Sequence, residues 1–397
     1  MDWDPEIDTP ATIAIVGAGA VGVEAALYAR FLGYFVMLFD TRRVGHRLLA
    51  CGDQPLEQPW SELTSPLGLA ALAAQGTAGD LPASDARVSY RQYVEQYLIP
   101  VARTDLLYES VQVNSPVTSI SRTCCEPSST LPLERRSEQE FRLLIDSQQR
   151  GEYTQLADIV LDCSGLSPKP GLASGGGLAI GERASLPEML MGRVDVLVKH
   201  RARLSAKHTL IYGRDWAACA NALDIVSLAQ IAPGTRATWI VPKQLGEQHP
   251  LRLPTGVPAE FAAAAQRLLT NADSDSPIGC VPAWGIEAVQ YDAAEGWRVR
   301  LQVTEEETLD VKTDAFINCC EADRNWSMAH SLPLAAELAT HGFTGEPHYY
   351  VLGHKAVGPG GDVSIPQIFA QIKQVFAYIG GRAELDLYDT VRRHTDS

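Results

Sequence analysis

The chain has 397 residues, 46% of them hydrophobic and 20% charged, the balance of a globular protein long enough for two or three domains. A formal net charge of −15 and the lack of any Lys/Arg-rich block argue against nucleic acid as a partner, since phosphate binding needs a basic surface. No apolar run reaches the length of a membrane span, and the N-terminal MDWDPEIDTP lacks the basic and apolar regions of a secretory signal, so no membrane is expected and the cytoplasm is the expected compartment.

In chain order, the first and most informative element is IAIVGAGAVGVEAALYARFLGYFVMLFD, Ile13 to Asp40. It reads as a buried strand, a glycine turn, a helix and a second strand ending on an acid. Gly17 makes the tight turn, Gly19 lets the backbone approach a pyrophosphate, and Gly22 lets helix and strand pack closely. Asp40 stands at the tip of the second strand, where a carboxylate can hold ribose hydroxyls. The positive end of the helix near Ala20 is the expected seat of the phosphates. These flanks supply the whole strand–helix–strand context that a bare glycine motif lacks, so a bound dinucleotide is the reading.

A Pro- and Gly-punctuated loop region follows to about Gly79. Ser89 to Ala102 carries apolar residues at helical spacing and is expected to stop near Pro100. Short strand-like runs come next, LLYESVQV, PVTSIS and FRLLIDS, interrupted by the polar connector Cys124 to Gln139. Ala157 to Gly165, ADIVLDCSG, reads as a buried strand ending in a Ser-Gly turn. A second strand–turn–helix–strand plan opens at His208 with HTLIYGRDWAACANALDIVSLA and continues into ATWIVPK. Short antiparallel strands are expected from Cys280 to Val311, after which TDAFINCC, Thr313 to Cys320, echoes ADIVLDCSG. The chain closes with HYYVLGHKAVG and an amphipathic helix with Ser364 as its N-cap, Pro366 in its first turn and Gly380-Gly381 at its end.

The eight cysteines form no CxxC pair, and none stands at zinc-ligand spacing from a histidine, so no metal is expected. His46, His348 and His354 lie in or near the loops expected to face the cofactor, where one could help position substrate; the plainer reading is of lone surface or core histidines. Neither a GxSxG turn nor an HExxH helix is present.

Two nucleotide-type units, the second nested between antiparallel segments, resemble the FAD- and NAD(P)-binding oxidoreductases that include thioredoxin reductases and flavin-dependent monooxygenases. Within that superfamily, QPWSELTSPLG, Gln58 to Gly68, and HYYVLGHKAVG, His348 to Gly358, are similar to stretches of uncharacterised monooxygenase-like flavoproteins. The resemblance implies an α/β fold with two Rossmann-like domains and antiparallel β segments. Its FAD domain would be split into 1–180 and 331–397 around an NAD(P)-type domain at 181–330. FAD would be held through Gly17, Ala18, Gly19, Gly22, Asp40 and Thr41, with Arg42 or Arg43 near the adenine. Gly165 would follow the strand that returns from the first domain. Gly353 would stand at the isoalloxazine end, with His354 where many relatives carry an Asp, and the helix after Ser364 would face the ring.

The second turn departs from the pattern. Where relatives have GxGxSA this chain has Gly213-Arg214-Asp215-Trp216-Ala217-Ala218, which sets a carboxylate at the expected pyrophosphate. Gly213 and Arg214 are the remaining candidates there, and Lys243 can serve a 2′-phosphate as a point charge. NADPH and NADH both stay open. The resemblance implies an FAD-dependent enzyme acting on a small molecule, of monooxygenase type, with Trp60 and Thr64 walling the ring and Lys355 touching flavin or nicotinamide. Cys51, eleven residues after Asp40, keeps a single-cysteine disulfide or peroxide reductase open. An FAD-binding protein that has lost NAD(P)H and takes electrons from a protein partner is the third reading, and a homodimer is an open assembly.

Overall fold

The computed structural model describes residues 11–56, 58–76, 81–125, 131–168, 171–243, 251–253, 257–270, 275–319, 322–334, 342–358 and 363–395. The acidic N-terminal ten residues and Cys320 lie outside them. The chain divides into unit 1, Met1–Leu166 with Arg324–Ser397, and unit 2, Ser167–Asp323. The elements that carry the argument are β1 (Thr12–Val16), α1 (Ala20–Phe31), β2 (Phe35–Phe39), β3 (Ile159–Asp162), β4 (His208–Tyr212), α2 (Trp216–Ile231), β5 (Arg236–Pro242), β6 (Ala315–Asn318), β7 (Tyr349–Val351) and α3 (Ile365–Ile379).

Unit 1 is built on a five-stranded sheet in the order β7-β3-β1-β2 with Val111–Gln112 at the edge, and every pairing in it is parallel. The register sets Val16 beside both Phe39 and Asp162. A strand covered on both faces needs apolar residues throughout rather than in alternation, and β1 supplies them. Ile13 and Ile15 pack with α1 and α3, whose Tyr28 and Phe376 rings stack at 5.1 Å. Ala14 and Val16 pack instead with Ile120, Phe141, Leu143 and Ile145 of a three-stranded antiparallel sheet.

Unit 2 repeats the plan. Its five parallel strands run Ile278–Ala283, β5, β4, β6 and Leu190–Met191. Ile211 of β4 packs with Cys219, Ala222, Ile225 and Leu228 of α2. Leu210 and Tyr212 pack with Trp297, Val299 and Leu301 of a second antiparallel sheet. The repeat extends to single hydrogen bonds. The Thr12 N–H donates to Asp158 Oδ2 at 2.7 Å in unit 1, and the His208 N–H donates to Asp314 Oδ2 at 2.7 Å in unit 2. These aspartates are the shared residue of ADIVLD and TDAFIN, and each pins the start of a central strand.

Two local features add detail to the expected plan. The helix beginning after Ser89, capped reciprocally by Ser89 and Gln92, ends at Ala102, two residues beyond Pro100 and at the expected bound of the segment. Proline lacks the N–H of a regular turn, and Val94–Leu98 widens into a π turn just ahead of it. The polar connector Cys124 to Gln139 is more than a loop, since Leu133–Ser137 is helical. Arg136 from that helix is buried with Glu346, whose other oxygen takes the Arg122 Nε–H at 2.8 Å.

Candidate functional site

In unit 1 the strand β1 ends at Gly17, which takes φ +106°. A Cβ there would lie 2.6 Å from the Cys163 carbonyl oxygen, so only glycine lets the turn pass β3 this closely. Gly22, one turn into α1, is tighter still: a Cβ would come within 1.8 Å of the Gly17 carbonyl oxygen. Gly19 is different. Nothing lies within 4 Å of where its Cβ would stand, so the turn is open on that side. As N-cap of α1, Gly19 contributes no side-chain hydrogen bond, and the first amides of the helix have no side-chain acceptor.

Asp40 closes the arrangement. Its Oδ2 accepts the Ala18 N–H at 2.7 Å and its Oδ1 the Arg42 N–H at 2.8 Å, with the Thr41 hydroxyl 3.5 Å away. The Ala18 amide is therefore committed to Asp40 and is not a phosphate donor. A carboxylate has about four acceptor positions, so partly exposed Asp40 keeps room for a ribose hydroxyl. The Arg42 side chain is exposed. Gly165 takes φ +71° beside Arg47, whose guanidinium donates to the carbonyls of Ser164, at 3.2 Å, and of Leu166. Arg47 was not singled out by sequence reasoning, because a lone arginine in a polar loop carries no periodic or motif signal.

Gly353, at φ +70°, packs against Val21, where a Cβ would meet Cγ2 at 2.7 Å, and gives its N–H to Gln371 of α3 at 2.8 Å. His354 beside it is exposed. The N-terminus of α3 is tied by Gln367, whose Oε1 accepts the Ser364 N–H at 2.7 Å.

Lys355 and Asp162 form a fully buried ion pair with Nζ and Oδ2 2.5 Å apart. The remaining ammonium donors go to the Asn325 carbonyl at 2.7 Å and Ser164 Oγ at 3.2 Å, and the Trp326 ring lies 4.6 Å away. Asp162 also accepts the Tyr349 hydroxyl at 2.8 Å and the Ser164 hydroxyl at 2.6 Å. The three ammonium protons are all placed, and Lys355 ties β3 to the chain at Asn325.

Trp60 and Thr64 are buried in unit 1. Trp60 packs edge-to-face on Tyr97 with centroids 6.1 Å apart, and the Thr64 hydroxyl donates to the Trp60 carbonyl at 3.0 Å. Cys51 is half-buried with Sγ 3.9 Å from the Arg47 carbonyl oxygen. None of the described cysteines is in a disulfide.

Sequence reasoning also missed Glu24, fully enclosed in α1 beneath the turn. Burial raises its pKa to about 7, while the hydroxyls of Ser65, Tyr388 and Tyr97 pull the other way. Its Oε1 has no hydrogen-bond partner.

The turn of unit 2 has the same backbone and a different occupant. Gly213, at φ +138°, presses on the Cys319 carbonyl oxygen as Gly17 presses on Cys163. Asp215 stands where Gly19 stands, as N-cap of the helix, and its Oδ1 accepts the Ala218 N–H at 2.9 Å. The Arg214 side chain is 3% exposed. Lys243 is exposed, with Nζ 3.3 Å from the Val303 carbonyl oxygen.

No family model matches the chain, and no curated protein matches it in sequence. Solved structures do match in fold. An FAD-bound cadaverine monooxygenase of desferrioxamine biosynthesis from Erwinia amylovora aligns at TM-score 0.64 and 12% identity, over 94% of this chain and 95% of that one. A bacillithiol disulfide reductase from Bacillus cereus aligns at 0.62 and 12%, over 97% and 99%. The thioredoxin reductase of T. acidophilum aligns at 0.54 and 14%, over 97% and 98%. The chain thus has the α/β fold with two dinucleotide-type units that disulfide reductases and flavin monooxygenases share.

Proposed function

We propose that the protein is an FAD-dependent oxidoreductase of monooxygenase type, acting on a small molecule and holding FAD on unit 1. The observation that carries this reading is the open, uncapped turn at Gly19 next to the Asp40 carboxylate. Phosphates accepted there meet the unsatisfied amides and positive end of α1, and the ribose hydroxyls meet Asp40. Gly353, seated against Val21 at the start of α1, and exposed His354 border the continuation of the same site. Bound FAD supplies the two-electron and oxygen chemistry; the chain binds, orients and shields it. The buried Lys355–Asp162 pair keeps the ends of β3 and β7 in register, so that Gly165 and Gly353 keep their positions. NADPH or NADH is the candidate reductant.

Monooxygenase chemistry is preferred to thiol chemistry on the likeness of QPWSELTSPLG and HYYVLGHKAVG to monooxygenase-like flavoproteins, with Cys51 kept as the thiol alternative. The structurally similar protein from Erwinia amylovora is a cadaverine monooxygenase; cadaverine is a small amine, and a small nucleophile is the substrate class we assign here.

The test starts with the absorbance spectrum of the purified protein and an FAD titration of the wild type and Asp40→Ala. Yellow protein, with affinity about ten- to hundredfold weaker in Asp40→Ala, is the expected result, matching the loss of one charge-assisted hydrogen bond. Colourless protein that no FAD concentration reconstitutes would overturn the reading. Cys51→Ser then separates the chemistries: unchanged turnover fits the monooxygenase, and abolished turnover with flavin retained assigns a thiol-based reductase.

A further inference from the structure

Unit 2 has the frame of a nucleotide-binding turn, but its residues do not fit the phosphates that the frame would receive. The N-caps Gly19 and Asp215 share one backbone conformation, φ −81° and ψ −170° against φ −84° and ψ 179°. The glycines ahead of them, Gly17 and Gly213, donate their N–H groups to Phe39 and Ile240 at the ends of the neighbouring strands. At the one position where unit 1 is open, unit 2 carries a carboxylate bonded to the third amide beyond it.

We propose that Asp215 is a built-in competitor for phosphate, so that unit 2 as it stands binds NADPH and NADH weakly. A dinucleotide seated on this turn takes the helix amides, and must first displace Asp215 Oδ1 from the Ala218 N–H. The displaced carboxylate then stays beside a pyrophosphate of the same sign. One further feature denies the ligand compensation. The position after Ile240, which corresponds to Asp40, is buried Val241 and offers nothing to a ribose hydroxyl. The Arg252 N–H donates to the Arg214 carbonyl at 2.8 Å and the backbones of Asp215 and Arg252 form a parallel β-bridge, so residues 251–253 run along the turn. The proposal rests on unit 2 being a nucleotide-type unit and is independent of flavin on unit 1.

The experiment is an equilibrium titration of the full chain with NADPH and with NADH, followed by nicotinamide fluorescence, for the wild type, Asp215→Asn and Asp215→Gly. Asparagine keeps the cap and removes the charge, whereas glycine removes both. The dissociation constant is expected to fall at least tenfold in Asp215→Gly, or about 1.4 kcal/mol, with Asp215→Asn between it and the wild type. Circular dichroism confirms that each variant folds, and Asp215→Asn carries the test should Asp215→Gly fail to fold. Low-micromolar binding by the wild type that neither substitution tightens would overturn the proposal. So would the absence of binding in all three proteins, since Asp215 would then not be what keeps the nucleotide away. The flavin spectrum, recorded in parallel, reports on unit 1 separately: colourless protein whose nicotinamide affinity rises in Asp215→Gly removes the flavin reading and leaves this one standing.

Discussion

The two units place the same turn on the same kind of sheet, and three of the exchanges between them act at that turn or beside it. Gly19 is replaced by Asp215, Gly22 by Ala218, and Asp162 at the end of β3 by Asn318 at the end of β6. The first exchange fills the helix N-terminus from within. The second relaxes the approach of helix to turn, since Ala218 carries the Cβ that Gly22 cannot. The third exchanges a buried ion pair for a neutral amide. Backbone geometry is thus the conserved part of such a unit, and its chemistry resides in a few side chains hung on it.

Three experiments act on this comparison. The largest effect is expected from Lys355→Met, which leaves Asp162 charged and buried without its cation and costs about 3–5 kcal/mol of unit 1 stability in chemical denaturation. Adding Asp162→Asn, which gives unit 1 the residue of unit 2, should recover a large part of that loss. No recovery would mean that the Lys355 packing, and not its charge, holds the strands.

Glu24 comes next, because unit 2 has alanine, Ala220, at the corresponding place in α2. Its pKa is raised from 4.5 to about 7, so within that window the folded protein holds a proton that the unfolded chain has released. The stability this group contributes is fully present below 4.5 and is lost as pH rises through about 7. The shift corresponds to roughly 3 kcal/mol. Melting curves should show Glu24→Gln gaining on the wild type between pH 5 and pH 8.5; a pH-independent difference would mean that Glu24 ionises normally.

The smallest effect is expected at the glycine. Gly22→Ala should destabilise unit 1 by about 1–3 kcal/mol through overpacking against Gly17 and should weaken flavin binding. The reciprocal Ala218→Gly in unit 2 should cost about 1 kcal/mol through helix propensity alone. Equal effects from the two substitutions would show that the tight approach at Gly22 is not what distinguishes the units.

The part of this protein legible in the sequence is the part set by neighbours along the chain. The strand–turn–helix–strand plan at Ile13 and again at His208, the Asp40 terminus and the Ser364 cap depend on spacings of a few residues, and hydrophobic period and glycine placement encode such spacings directly. The turn at Gly213 could be seen to depart from the pattern for the same reason. Tertiary structure decided what depends on residues far apart. Lys355 meets Asp162 across 193 positions, Arg47 reaches Ser164 across 117, and Trp60 packs edge-to-face on Tyr97. Whether the Asp215 carboxylate faces a ligand or its own helix was also a matter of three-dimensional placement. A side chain takes the nearest satisfying partner in space, and one-dimensional spacing does not record that partner.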